Sequence, residues 1–149
     1  LCTNTFGQYI AHEYMARGLM EKHIEVIKTL YRGKRDIMLK SMGDHFPEGV
    51  KWTRPDGGLF CWVTVPDYID TQAMFDKAIA NNVAYVPGTA FYTTEGGGRD
   101  SMRLNFTHPT DEMIEVGIRR LGDVIEVEME SHAKNERVLP RDKDGMIGV

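Results

Sequence analysis

Residues 96–106 read GGGRDSMRLNF, three glycines and a charged pair followed by an alternating run that ends in Phe106. A glycine-rich phosphate loop hands its anion to the N-terminus of a following helix. Here the residues that follow alternate Met102, Leu104 and Phe106 against Ser101, Arg103 and Asn105, which is the period of a strand. The stretch also lacks the spacings GxxxxGK(S/T) and GxGxxG. It is therefore read as a pliable turn between two strands, followed by Arg103, which on pattern alone suits a surface or salt-bridge residue as well as a carboxylate clamp. A planar guanidinium with five donors, raised from a rigid element among small or polar neighbours, is what carboxylate recognition requires. Arg99 falls in the loop and is expected to be solvated.

On the N-terminal side, Ala84–Val86 is a short predicted strand cut off by Pro87-Gly88. Before it, Asp70 or Thr71 can cap a helix over TQAMFDKAIANN, where Met74, Phe75, Ala78 and Ile79 share one face and Asn82 suits the closing turn. Leu59–Val65 carries apolar residues on both alternating faces and predicts a central strand, entered from KWTRPDGG through a short strand and a turn. Further upstream, Met20 to about Gly43 places Ile24, Ile27, Tyr31, Met38 and Met42 on one stripe, a long amphipathic helix that includes Gly33. Thr3, Asn4 and Thr5 offer caps to a short helix that Gly18 stops.

On the C-terminal side, Thr110 caps a last helix with Asp111 and Glu112 in its first turn and Ile114, Ile118, Leu121 and Ile125 on its buried stripe. The order ααββαββα predicts an α+β fold, a two-layer small domain with long helices packed on one side of a small mixed or antiparallel sheet. This domain is expected to span residues 1–131. Residues 132–149 are polar and aperiodic, and are expected to form an exposed or disordered tail.

Composition narrows the chemistry. A chain of 149 residues, 42% hydrophobic and 27% charged, is sized for one domain with a real core. A net charge of −4 with no long block of either sign gives no reason to expect a nucleic-acid or polybasic membrane partner. Cys2 and Cys61 make no disulfide framework and no CxxC site, which fits a reducing cytoplasm. No stretch approaches the roughly 20 apolar residues that span a bilayer. His12, His23, His45, His108 and His132 show neither HxxxH nor HExxH spacing, so no metal is expected. No serine sits in a GxSxG elbow. The start on Leu1 rather than methionine suggests a piece of something longer or a processed product.

Three motifs in order, RPDGGLFCW (54–62), VAYVPGTAFY (83–92) and GGGRDSMRLNF (96–106), precede a terminal amphipathic helix containing RRLGDVI (119–125). Together they make residues 1–131 resemble the C-terminal small domain of fold-type I, pyridoxal-phosphate-dependent aminotransferases, in the branch with the 2-aminoadipate and kynurenine enzymes. The resemblance implies that Arg103 makes a bidentate salt bridge to the substrate's α-carboxylate and that Phe60 lines the substrate pocket. Val86-Pro87-Gly88 with Phe91 would stand at the active-site mouth, where the side chain is chosen. It further implies amino-group transfer between an amino acid and a 2-oxo acid, with pyridoxal phosphate as cofactor, in a cytoplasmic homodimer.

In that family the Schiff-base lysine and the phosphate-binding residues belong to the large domain, expected upstream of Leu1. No catalytic or cofactor-binding residue is therefore assigned in this chain. Alone it is expected neither to hold pyridoxal phosphate nor to transaminate. Two other readings remain: the effector domain of a winged-helix, aminotransferase-like transcriptional regulator, and a stand-alone α+β interaction module.

Overall fold

Three of the helices begin where a side-chain oxygen takes up the first unpaired N–H groups of the turn. In the computed structural model, which describes residues 3–138 and side chains as far as residue 135, Asn4 accepts from the Gly7 amide and opens α1 (Thr5–Ala16). Gly18, at φ 63, turns the chain into α2 (Leu19–His45), which runs through Gly33 without a break. Asp70 accepts from the Gln72 and Ala73 amides at 2.8 and 3.2 Å and opens α3 (Thr71–Ala80), beyond which Asn82 adopts a left-handed φ of 55. Thr71, the other candidate cap, is instead buried and donates its hydroxyl to the Ser101 carbonyl at 2.7 Å. Thr110 accepts from the Met113 amide at 3.2 Å and opens α4 (Asp111–Val138).

That last helix replaces the disordered alternative for the predicted tail, while residues 133–135 are exposed. Residues 132–138 are helical rather than aperiodic, and only 139–149 of the expected tail lie outside the described residues. The extension has no apolar stripe to announce it. It is held instead by a Lys134–Glu130 ion pair one turn apart at 3.2 Å and by His132 stacked on Tyr68 with ring centroids 3.9 Å apart.

The four strands are β1 (Lys51–Trp52), β2 (Phe60–Thr64), β3 (Val86–Pro87) and β4 (Ser101–Asn105), in the order β1-β2-β4-β3 and antiparallel at every step. β2 is internal, as its composition predicts. β3 lies two residues further along than predicted and includes Pro87. As an edge strand it needs ladder bonds on one side only, so a residue without an N–H is tolerated there.

Register sorts the side chains. Cys61 pairs with Leu104 and Val63 with Met102, and all four are buried. They join Met38 and Met42 of α2, Met74 and Ala78 of α3, and Ile114, Ile118, Leu121 and Ile125 of α4 in one core. Gly122 lets α4 come close to the end of α2, because a Cβ there would run into the His45 carbonyl. The helices thus occupy one face of the sheet, and the two-layer α+β arrangement stands as read. Phe60, Trp62 and Arg103 alternate with the buried set and belong to the other face, where each is partly exposed.

The connection from β3 to β4 differs from the pliable turn expected of its glycines. Residues 88–91 form a single 3-10 turn, and the chain then folds back so that Gly97 and Gly98 lie against Tyr92. Gly98 has φ +71, and a Cβ there would stand 2.5 Å from the Tyr92 ring. A Cβ on Gly88 would meet the carbonyl of Gly98 and, at 2.8 Å, that of Ser101. These glycines are required for close packing and a left-handed turn, which ties both ends of the loop together beside β4.

Candidate functional site

Arg103 stands in the middle of β4, directly across from Trp62 on β2 and from Val86 on β3. Because opposed residues of antiparallel strands project to the same side, this register gathers an aromatic, an aliphatic and a cation on the face away from the helices. Phe60 lies two residues before Trp62 and therefore on the same side. Phe91 arrives from the 3-10 turn that follows β3.

The resulting contacts are specific. The guanidinium carbon of Arg103 lies 4.0 Å from the centroid of the Phe60 ring and 4.7 Å from that of the Phe91 ring. Both are cation–π contacts, each worth about 0.5–1 kcal/mol at a partly exposed site. The three residues singled out in the sequence are thus brought together, although 43 positions separate Phe60 from Arg103 in the chain. Among the described residues, Arg103 makes no salt bridge to a carboxylate, as is also true of Arg32, Arg54, Arg119 and Arg120, whereas Arg17, Arg35 and Arg99 each face an acid; the two ring contacts are what set Arg103 apart. Arg99, expected to be solvated, is indeed mostly exposed and lies 3.7 Å from Asp70.

An open depression of about 250 Å³ borders the guanidinium, lined by Phe60, Ala84, Tyr85, Val86, Arg103 and Asn105. Its polar groups are largely engaged. The Tyr85 hydroxyl donates to the Thr71 carbonyl at 2.6 Å, and Asn105 Oδ1 accepts from the amide and hydroxyl of Thr107. Burial raises the Tyr85 phenol above its ordinary range, so it is a neutral wall. The donors of Arg103 are what this surface offers a ligand. One fixed cation on a strand suits a carboxylate.

A slightly larger hollow, about 280 Å³, lies between α2 and the Asp56–Leu59 turn and includes Arg32 and Arg35. Arg35 is committed to Asp36 at 2.7 Å and to the Pro55 carbonyl at 3.1 Å, so it carries less free recognition chemistry than Arg103. Sequence reasoning overlooked Trp62. Its alternation with Cys61 placed it on the right face, but only the β2–β4 register puts it opposite Arg103. Its ring meets Phe91 edge-on, with centroids 5.3 Å apart and planes at 77°. Cys61, one position away, faces the core, and burial pushes its thiol up to about 11, which leaves it inert at neutral pH. No helix among the described residues is long and apolar enough to cross a membrane.

A family model described as aminotransferase class I and II matches residues 1–121. Aromatic-amino-acid aminotransferase 1 of Thermococcus litoralis is 50% identical over 129 residues, which are 87% of this chain and 31% of that protein. The crystal structure of a multiple substrate aminotransferase from Thermococcus profundus matches with a TM-score of 0.85 at 47% identity, over 88% of this chain and 32% of that one. Pyrococcus horikoshii kynurenine aminotransferase, solved in complex with PMP, KYN as substrates and KYA as products, matches with a TM-score of 0.83 at 49% identity, over 87% and 32%. The chain therefore spans about a third of the length of these relatives.

Proposed function

Since the chain belongs to the class I and II aminotransferase family, we propose that it is the C-terminal small domain of an amino-acid aminotransferase, and that Arg103 grips the α-carboxylate of the substrate. The observation that carries this reading is the guanidinium packed against the Phe60 and Phe91 rings on the sheet face away from the core, with no ion pair among the described residues. Rings packed against a guanidinium leave its N–H donors free for another partner. A carboxylate approaching those donors can take two parallel N–H···O bonds.

Pyridoxal phosphate, in the protein of full family length, supplies the electron sink for amino-group transfer. The contribution of this chain is orientation. A carboxylate fixed at two points on a strand sets the direction of the bonds at Cα, and positioning of that kind accounts for several kcal/mol of a barrier, up to about 7–11. Phe60 and Phe91 keep water from the faces of the cation and offer apolar surface to the substrate side chain. An amino acid and a 2-oxo acid share the carboxylate, so one clamp serves both directions of the exchange.

The remainder of such a protein, its large domain and a second copy in a homodimer, belongs to the same proposal, as does a cytoplasmic location. The lysine and phosphate cradle that hold the cofactor would lie in the large domain, and these residues alone would not transaminate. Residues 1–131 are the domain in this reading. The regulator reading is not favoured, since the similarities at 50% and 47% identity are to aminotransferases. Membership of the family replaces the stand-alone module.

The test is kinetic. In a protein of the relatives' length that contains this chain, Arg103→Gln removes charge-assisted bonds worth about 1.5–3 kcal/mol, a loss of roughly 10- to 100-fold in kcat/KM. The loss is expected for the amino acid and the 2-oxo acid alike. An unchanged kcat/KM for either substrate would refute the clamp.

A further inference from the structure

Trp62 does not line the depression, yet it is the residue directly opposite Arg103 in the sheet. Its backbone is fixed from the other side. The Trp62 amide donates to Thr53 Oγ1 at 3.0 Å, and the Thr53 amide donates back to the Trp62 carbonyl at 2.9 Å. The indole is therefore mounted on an internal strand with little freedom. Phe91, in contrast, sits on an exposed 3-10 turn and is itself 44% exposed. The turn is packed at its start, where Gly88 is buried, and open at its end, where Ala90 and Phe91 are exposed.

The edge-to-face contact between these two rings, at 5.3 Å and 77°, links the rigid strand to the exposed turn. From Phe91 the contact continues to the guanidinium and from there to Phe60. We propose that Trp62 is a positioning residue for this site: its indole holds Phe91 against the guanidinium of Arg103, and so keeps the donor edge pointed for the carboxylate. This rests on the reading of Arg103 as the carboxylate clamp, but the ordering of Arg103 by Trp62 can be measured without any ligand.

Trp62 is suited to the task because an aromatic pair adds attraction beyond its buried area, and because the indole is too broad to be matched by an aliphatic side chain. Phenylalanine at the same position keeps an edge-to-face partner. Leucine does not.

The experiment uses the 149-residue chain labelled at arginine. Ring currents from Phe60 and Phe91 should move the Arg103 δ and ε protons upfield of those of the exposed Arg17. Trp62→Leu is expected to weaken the NOEs between the Phe91 ring and the Arg103 δ protons as well as returning the shifts part of the way, Trp62→Phe to keep those NOEs, and Phe91→Leu to return the shifts part of the way with the indole in place. Methyl resonances of Ile125 and Leu121 report that the core is intact in each variant.

Titration with 3-phenylpropionate then reads the carboxylate. Its Kd is expected to weaken about three- to tenfold in Trp62→Leu, the equilibrium worth of one aromatic pair, and to recover in Trp62→Phe. Arg103 shifts unchanged by Trp62→Leu in a folded protein would overturn the positioning role, even if 3-phenylpropionate binds. If the shifts move as stated while 3-phenylpropionate fails to bind the original chain at Arg103, the positioning stands and the clamp reading falls. Should Trp62→Leu unfold the domain, Trp62→Phe and Phe91→Leu still decide: the proposal fails if Phe91→Leu leaves the Arg103 protons in place.

Discussion

A strand arginine has many ordinary uses, and the alternation of SMRLNF shows only that Arg103 leaves the sheet on the side opposite Met102 and Leu104. The motif context named Phe60 and Phe91 as its companions, and the structure puts both rings on the guanidinium. Trp62 was not legible in the same way, because which residue of β2 opposes Arg103 depends on pairing register, and shifting that register by one moves every side chain to the other face. Cys61 shows the same alternation from the inside. It is fully buried, and burial alone pushes its thiol up to about 11.

The sign of the consequence follows from which state loses its proton first. Well below pH 9 the thiol is mostly protonated in both folded and unfolded chains and contributes little pH dependence. As pH rises from about 9 toward 11 the unfolded chain ionises while the folded one resists, so stability falls. The buried Tyr85 phenol acts in the same direction at still higher pH. Urea midpoints are expected to be flat between pH 7 and 8 and clearly lower at pH 10.5. Native Cys61 should also alkylate far more slowly than the unfolded chain at pH 8. A midpoint that rises with alkali would contradict the assignment.

Among the elements, helix starts were the most legible, because a capping oxygen is a local signal. Asn4, Asp70 and Thr110 each cap where the sequence offers them. Ends were harder. α4 runs on to Val138 through residues that favour helix without any apolar stripe, and β3 accepts Pro87 because it is an edge. The glycine loop misled more seriously, since three glycines in a row read as flexibility, whereas Gly96 serves a left-handed φ of 78 and Gly97 and Gly98 lack room for a Cβ. Gly98→Ala is expected to cost at least about 1–2 kcal/mol, the penalty of a left-handed backbone for a residue with a Cβ, with the Tyr92 ring adding to it. Gly57, which has open space around it, is the control: alanine there should change stability little. Equal effects of the two substitutions in denaturant titrations would remove the packing argument.

At the scale of the whole molecule, the two layers are unequal in what they leave open. The core between helices and sheet is closed, but α1 buries no side chain, and Phe6 (74%), Tyr9 (68%) and Ile10 (55%) stand exposed along it. The stripe predicted on α2 is likewise buried at Met38 and Met42 and uncovered at Ile24. Periodicity identifies the face of a helix that calls for burial; it does not identify what buries it. Apolar surface of this extent is uncommon on a monomer in isolation and fits the proposal of a small domain that works against a larger one. The sheet face with Arg103 is the other open surface, and the account assigns it to substrate.

The most direct test is a crystal structure of a relatives-length protein containing this chain, with an amino-acid substrate or an unreactive carboxylate analogue bound. The expected result is two parallel bonds of about 2.7–2.9 Å from the Arg103 guanidinium to the α-carboxylate, with Phe60 and Phe91 still in contact with it. A carboxylate held by other residues, with Arg103 in solvent or paired to an acid of the protein, would contradict the account at its centre.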